Sequence, residues 1–243
     1  QSISISLLHR RTGVTAIDEG IETLYDTGYM HNHLRMYTAA ITCNIGKNHW
    51  RYPAQWMYYH LLDGDWASNA LSWQWVAGTN SNKQYIANQE NINKYCKTDD
   101  KDTFLDIGYD ELANIAVPKE LKEITDVELK TNLPKTSKIV LNEEIPTAIY
   151  TYYNLDPNWR KEQEMNRILL LEPSFFKKYP VGDKCIQFVT DLIENIENCQ
   201  VFIGEFFDFE SKFKPIQAYF KEHPTNNHFK GIEDSRDWIS PDV

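Results

Sequence analysis

The sequence lacks the long apolar runs and paired cysteines that mark membrane-spanning or metal-binding chains. No stretch reaches the roughly 18 apolar residues of a transmembrane helix, and the first residues show no secretory signal. The cysteines form no Cys-x-x-Cys pair and have no histidine at metal-ligand spacing: Cys43, Cys96, Cys185 and Cys199. His223 and His228 have no third ligand nearby in sequence, so no metal site is predicted. We therefore expect a cytoplasmic protein with reduced thiols.

Positive charge is scarce in the C-terminal part of the chain. Residues 1–100 contain eight Lys/Arg and nine Asp/Glu, which leaves 17 Lys/Arg and 26 Asp/Glu of the totals of 25 and 35 for residues 101–243. Because phosphate contacts come from Lys and Arg, an acidic surface repels DNA at physiological salt. DNA contacts are therefore expected from the basic residues of the first part: Arg10, Arg11, Lys47, Arg51, Lys83, Lys94 and Lys97. The acidic C-terminal region could instead meet a protein partner.

Tryptophan content and apolar spacing divide the chain near residue 105. Five of the seven Trp lie in residues 1–100, and apolar residues recur at three- and four-residue steps from 17 to about 77, which predicts helices. Residues 83–102 are polar and predict a loop with a short helix. We assign residues 1–105 to a helical region, 106–137 to a connector rich in charge, and 138–243 to a small α/β region.

The α/β region is predicted from short β-forming runs around one amphipathic segment. The runs 138–141, 148–153, 168–171 and 201–204 predict strands. Between the last two, Asp183 is expected to cap a helix. The apolar face of that helix consists of Ile186, Val189, Leu192, Ile193 and Ile196. The strand, helix, strand order predicts a βαβ unit with a parallel pair of strands.

Acidic, amide and indole side chains are concentrated in residues 63–75. This segment holds Asp63, Asp65, Asn69 and three tryptophans. Upstream, a turn at 27–31 leads into a predicted helix, one face of which carries Asn32, Arg35 and Met36. Two interpretations are open: a site for a polar, redox-active aromatic ligand, or a polar helix end followed by a Trp-rich packing cluster.

Together these two stretches resemble the FAD-binding helical domain of the photolyase and cryptochrome family. The block Thr27-Gly28-Tyr29-Met30-His31-Asn32, the Asp-Gly-Asp-x-x-x-Asn pattern at 63–69 and the closing Trp73-Gln74-Trp75 match that family by residue type. The lead-in at 11–18 is also similar, so the resemblance covers about residues 11–80. It implies an α plus α/β chain: a helical photolyase-type FAD-binding domain followed by a small α/β region with a βαβ unit.

The resemblance implies FAD as the cofactor. Asn32 and Arg35 are expected to line the flavin pocket, with Arg35 paired to Asp63, because a carboxylate in a partly dry pocket needs a cation. Asp65 is expected near the polar atoms of the isoalloxazine or ribityl group. Asn69 matches the position that faces flavin N5, where a side-chain amide tunes the ring.

The resemblance also assigns electron-transfer and substrate positions. Trp73 matches the indole nearest the flavin in the family's electron-transfer chain, and Trp50 matches the next. The third position falls before residue 1, so Trp66 or a tyrosine could substitute. Met36 and Trp75 match positions that touch the pyrimidine dimer, and an aromatic platform suits a base extruded from the duplex. Core packing is the alternative interpretation of the three family-matched indoles.

Two functions are implied by the resemblance. The first is that of a deoxyribodipyrimidine photolyase-type lyase, a flavoprotein of DNA repair in which reduced FAD, excited by blue light, passes an electron to a pyrimidine dimer in damaged DNA. The second is a non-catalytic, cryptochrome-like flavin- or partner-binding module. The acidic charge and the lack of the upstream half of the family domain favour the second. The α/β region also follows the helical domain here, whereas in photolyases it precedes it.

Overall fold

The computed structural model describes residues 2–80 and 82–236 and divides into two compact units. The first is Gln1–Leu129 and the second is Lys130–Val243. Their boundary falls within the connector that the sequence predicts at 106–137. Residues 237–243, which end the predicted α/β region, lie outside the described residues.

Helices make up most of the first unit, as the apolar spacing predicts. The helices are α1 (Ile5–Leu8), α2 (Thr15–Thr27), α3 (Asn32–Ala40), α4 (Arg51–His60), α5 (Trp66–Val76), α6 (Gln89–Cys96) and α7 (Tyr109–Ala113). A π-helical turn, Ile41–Ile45, continues α3, and a 3-10 turn lies at Lys119–Leu121. Two short strands, β1 (Ile3–Ser4) and β2 (Ile124–Thr125), pair antiparallel. Within the described residues, no helix is both long and apolar enough to cross a membrane.

A glycine at the end of α2 sets the position of the acidic loop that follows α4. Ile17, Ile21 and Leu24 form the fully buried stripe of α2. The helix ends at Gly28, whose φ of 74° is a left-handed conformation that favours glycine. A Cβ there would lie 2.4 Å from Cγ of Leu62, and the Leu62 amide donates to the Gly28 carbonyl at 2.9 Å. This close approach fixes the chain directly before Asp63.

Asn44 joins the π-helical turn to the end of α5. Its side chain is buried, and Nδ2 donates to the carbonyl oxygens of Val76 at 2.9 Å and Tyr85 at 2.7 Å. The turn itself is closed by the Gly46 amide, which donates to the Ile41 carbonyl at 2.8 Å. One buried amide therefore holds three separate segments of the helical unit together.

The second unit is built on a five-stranded parallel sheet. The strands are β3 (Thr147–Tyr150), β4 (Asn166–Leu171), β5 (Cys199–Ile203), β6 (Ala218–Lys221) and β7 (Ile232–Asp234), in the order β5-β4-β3-β6-β7. The connections include helices α8 (Pro173–Lys178), α9 (Asp183–Leu192, continued by a 3-10 turn) and α10 (Phe206–Phe213). Every residue of β3 is buried, which is typical of a central parallel strand. The predicted parallel pair around an amphipathic helix is confirmed in β4, α9 and β5.

Two local predictions for this unit are wrong. Residues 138–141 are irregular, because this segment bonds the edge of β5 largely through side chains instead of a backbone ladder. The hydroxyl of Ser137 bonds the Val201 backbone, and the Val140 amide donates to Oε1 of Gln200 at 2.8 Å. Asp183 is the first residue of α9 and not its cap; its carboxylate accepts from Nδ2 of Asn132 at 3.0 Å.

Candidate functional site

A cleft of about 570 Å³ opens between α3, α5 and the loop that precedes α5. Polar side chains from both helices and indoles from α5 line it. The lining residues are Asn32, Arg35, Met36, Ala39, Leu61, Asp63, Gly64, Asp65, Ser68, Asn69, Leu71, Ser72, Trp73, Trp75, Val76 and Asn80. The structure thus brings eight of the nine site residues named from the sequence into one cavity.

The charged wall of the cleft is an ion pair with one anchored partner. Nη2 of Arg35 donates to both carboxylate oxygens of Asp63, at 3.0 and 2.9 Å. Nε of Arg35 donates to the Met30 carbonyl at 2.6 Å, so the guanidinium is held from its own turn as well as from the facing loop. The Arg35 side chain is 23% exposed and that of Asp63 is 53% exposed. The pair predicted from the sequence is present, and Asp63 keeps a solvated face toward the cleft.

Asp65 lines the cleft and also caps a helix. It is the N-cap of α5, and Oδ1 accepts from the Ser68 amide at 2.7 Å. One carboxylate oxygen is therefore committed to starting the helix that carries Asn69 and Trp73. The family resemblance predicts a ligand contact for Asp65, and an Asp before a helical run is also a helix start signal.

Asn69 is oriented by the neighbouring helix. Its Nδ2 donates to the Ala54 carbonyl of α4 at 2.8 Å. Because the amide donor side is bound to α4, Oδ1 is the acceptor that the residue offers to the cleft. The site therefore presents an oriented hydrogen-bond acceptor in the cleft that Trp73 also lines.

The three family-matched indoles have different environments. Trp73 is 2% exposed and forms part of the cleft wall, whereas Trp75 is 47% exposed at its mouth. Trp50 is half-buried, stacks on His49 with ring centroids 5.6 Å apart, and is not among the residues that line the cleft. On α3, Nδ2 of Asn32 lies 3.8 Å from Sδ of Met36.

Sequence reasoning missed several small polar residues of the cleft. Ser68 and Ser72 lie four residues apart on α5, Ser72 lies three residues after Asn69, and Asn80 also lines the cleft. The helical spacing from Asn69 could have identified Ser72, and the four-residue spacing from Ser72 could then have identified Ser68. Asn80 follows the helix and had no such signal.

Comparison with known proteins identifies the family. The chain matches the family described as the FAD binding domain of DNA photolyase over residues 8–161, well beyond the 11–80 of the motif. The chain therefore belongs to this family of FAD-binding domains, and FAD is the cofactor of the family.

Curated relatives match a shorter part of the chain. Deoxyribodipyrimidine photo-lyase of Vibrio cholerae is 36% identical over 74 residues, which are 30% of this chain and 16% of that protein. The same enzyme of Agrobacterium fabrum is 41% identical over 68 residues, 28% of this chain and 14% of that protein. Cryptochrome-1 of Arabidopsis thaliana is 33% identical over 69 residues, 28% of this chain and 10% of that protein. The matched stretch thus spans a sixth or less of each relative. No solved structure matches the chain significantly.

The residues of the cleft fit a flavin. Its volume lies within the range of about 300–1,000 Å³ that is usual for small-molecule sites. Arg35 supplies cationic donors, Asn69 an oriented acceptor, and Trp73 a flat apolar wall. This combination suits a ring with a polar edge and apolar faces.

Proposed function

We propose that this chain binds FAD in the cleft between α3 and α5 and uses it for light-driven electron transfer to pyrimidine dimers in DNA. The observation that carries the proposal is the convergence of Arg35, Asp63, Asn69 and Trp73 on one cleft. Bound in its reduced form, FAD would supply the blue-light absorber and the electron donor. The activity would be that of a deoxyribodipyrimidine photolyase-type lyase, and we propose that it acts in the cytoplasm.

The polar wall would hold and orient the cofactor. Asn32, Arg35, Asp63 and Asp65 would form hydrogen bonds to its polar groups, while the Met30 carbonyl keeps the guanidinium in position. Asn69 would present its oxygen to flavin N5, because its amide nitrogen is bound by α4. An oriented acceptor favours a protonated N5 over a bare one, so this contact would tune the reduced state of the ring.

The aromatic residues would serve electron transfer and substrate contact. Trp73, buried against the cleft, would exchange electrons with the flavin, and Trp50 would be the next relay residue. Met36 and the exposed face of Trp75 would meet a pyrimidine dimer that has left the duplex. Stacking on an exposed indole contributes about 1–3 kcal/mol per base in single-stranded complexes, which makes Trp75 the main substrate contact.

The second candidate function is a non-catalytic, cryptochrome-like module. Residues 101–243 carry nine more acidic than basic residues, 26 against 17, and such a surface favours a protein partner over DNA. The similarity to a cryptochrome over 28% of the chain also supports this candidate. Both candidates use the same flavin cleft and differ in whether damaged DNA is a substrate.

The test is reconstitution followed by repair. The purified chain is incubated with FAD, desalted, reduced, and illuminated with blue light in the presence of an oligonucleotide that contains one thymine dimer. The first function requires retained flavin and light-dependent loss of the dimer, with Trp75→Ala weakening oligonucleotide binding. Retained flavin without dimer loss would support the cryptochrome-like module, and no retained flavin would refute both.

A further inference from the structure

The strand order of the five-stranded sheet reverses at one place. The chain runs from β3 through β4 to β5 on one side of β3, and then returns to place β6 and β7 on the other side. In open parallel sheets, ligands bind in the crevice outside the carboxyl ends of the strands at such a reversal. The segments that follow β3, β4 and β6 therefore border the crevice in which a ligand of the second unit is expected.

A cavity of about 20 Å³ lies beside these carboxyl ends and is called the aromatic cavity below. Five rings line it, from the segment after β3, from α8 and from the segment before β7: Tyr152, Tyr153, Phe175, Phe176 and Phe229. A water molecule needs about 10–15 Å³ of such a cavity. The aromatic cavity therefore accommodates one small chemical group and is too small for a nucleotide or a further ring.

A buried carboxylate with one free oxygen also lines the aromatic cavity. Glu172 directly follows β4 and is 7% exposed. Its Oε1 accepts from the Phe206 amide at 2.8 Å and lies 2.9 Å from Nε2 of His228. Its Oε2 accepts from none of the described residues, and the hydroxyl of Thr151, which is 9% exposed, forms no hydrogen bond with them either. Because a buried charge needs a partner, this carboxylate favours a cationic donor in the cavity.

The aromatic lining selects an organic cation over a metal ion. The ring of Tyr153 is nearly perpendicular to the rings of Tyr152 and Phe175, with centroids 5.2 and 6.0 Å away. The faces of aromatic rings attract ammonium groups. Calcium, in contrast, requires six to eight oxygen ligands, and the cavity offers two free oxygens. The described residues also hold no group of three His, Cys, Asp or Glu that could bind a metal ion.

We propose that the aromatic cavity binds the ammonium head of an amine, from a free amine or from a lysine side chain, through an N–H donated to Oε2 of Glu172. The rings enclose the rest of the head, and the Thr151 hydroxyl accepts a second N–H. A quaternary ammonium has no N–H and therefore binds more weakly than a primary one. The excess of acidic over basic residues in 101–243, 26 against 17, attracts such cations. The site belongs to the second unit and does not depend on the proposed function.

The site can be tested by NMR titration of the full chain without flavin. The Phe206 amide is the reporter, because it donates to the carboxylate of Glu172. The probes are methylammonium, tetramethylammonium and a lysine with both backbone ends blocked, each at constant ionic strength and about pH 8, where amines are protonated. Methylammonium and the blocked lysine should shift the Phe206 amide signal in a saturable way, whereas sodium chloride should not. Tighter binding of the blocked lysine would indicate a protein partner, and tighter binding of methylammonium a free amine.

Two variants separate the charge of Glu172 from its structural contacts. Glu172→Gln keeps an oxygen for the Phe206 amide and removes the charge, so methylammonium affinity should fall about tenfold or more. Thr151→Val keeps the side-chain shape, removes the second acceptor and should weaken binding about fivefold. Glu205→Gln is the matched control: Glu205 directly precedes α10, both of its carboxylate oxygens accept from Ser174, at 2.9 and 2.7 Å, and it does not line the cavity.

The control variant should bind methylammonium like the parent chain. An equal loss of affinity in Glu172→Gln and Glu205→Gln would overturn the site, because the effect would then follow the general charge of the unit. Binding of tetramethylammonium as tightly as methylammonium would overturn the N–H contact to Glu172. A Phe206 amide signal that no amine shifts would show that the cavity holds water only, and would refute the proposal.

Discussion

Removal of either partner of the Arg35–Asp63 pair should have unequal effects on the stability of the helical unit. Arg35→Met loses a charged hydrogen bond to the Met30 carbonyl at 2.6 Å as well as the ion pair. Hydrogen bonds to charged groups contribute about 1.5–3 kcal/mol, so the free energy of unfolding should fall by about 2–3 kcal/mol in Arg35→Met. Asp63→Asn loses only an ion pair whose carboxylate is 53% exposed and screened by water. Its expected cost is about 0.5–1 kcal/mol.

The two substitutions and their combination form a double-mutant cycle. Urea unfolding followed by tryptophan emission reports mainly on the helical unit, because five of the seven Trp lie in residues 1–100. The coupling energy should be about 0.5–1 kcal/mol, the usual value for an exposed pair. An Asp63→Asn cost equal to that of Arg35→Met would refute the reasoning, since the Met30 carbonyl would then not be the main anchor of the guanidinium.

Three further outcomes are expected. Asn69→Ala should lower the free energy of unfolding in urea by about 1 kcal/mol, because the hydrogen bond to α4 is lost. It should also lower FAD affinity in a fluorescence titration, and unchanged affinity would contradict the place of Asn69 in the site. Asn44→Ala should lower the free energy of unfolding by about 1–3 kcal/mol, because the Tyr85 carbonyl loses its side-chain donor while the Val76 carbonyl keeps only the Tyr85 amide; a change near zero would show that water replaces the lost bonds. Burial lowers the pKa of His60 to about 4, so the unfolded chain binds more protons than the folded chain between about pH 6.5 and 4. The free energy of unfolding should therefore be highest above this window and fall by up to about 1.4 kcal/mol per pH unit as the pH drops through it. His60→Gln should remove this slope in urea unfolding measured at several pH values.

Most helices and strands could be predicted from the local spacing of apolar residues. The stripe of Ile17, Ile21 and Leu24 predicts α2 because burial of one helical face leaves a period in the sequence. Parallel strands likewise appear as short apolar runs, since both of their faces are covered. The run at 138–141 has the same composition but no backbone ladder, and composition alone cannot distinguish the two.

The parts of the candidate site that could be predicted are those where a charged side chain needs an opposite charge or where helical spacing places residues on one face. A carboxylate at Asp63 in a partly dry pocket is predicted to need a cation, and Arg35 supplies it. The contacts of Asn44 could not be predicted, because its acceptors, Val76 and Tyr85, are 32 and 41 residues away and leave no periodic signal. Trp50, predicted as the relay residue beyond Trp73, does not line the cleft, and its role stays a prediction.

Blocking the cleft tests the central claim most directly. Ser72 is exposed on α5 and lines the cleft, so Ser72→Trp would fill it without burying a new polar group. Glu19→Trp places the same side chain on the exposed face of α2 and serves as the matched control. In a titration monitored by flavin fluorescence, the parent and Glu19→Trp should bind one FAD per chain, and Ser72→Trp should bind none. Equal FAD binding by all three proteins would contradict the assignment of the cleft as the flavin site.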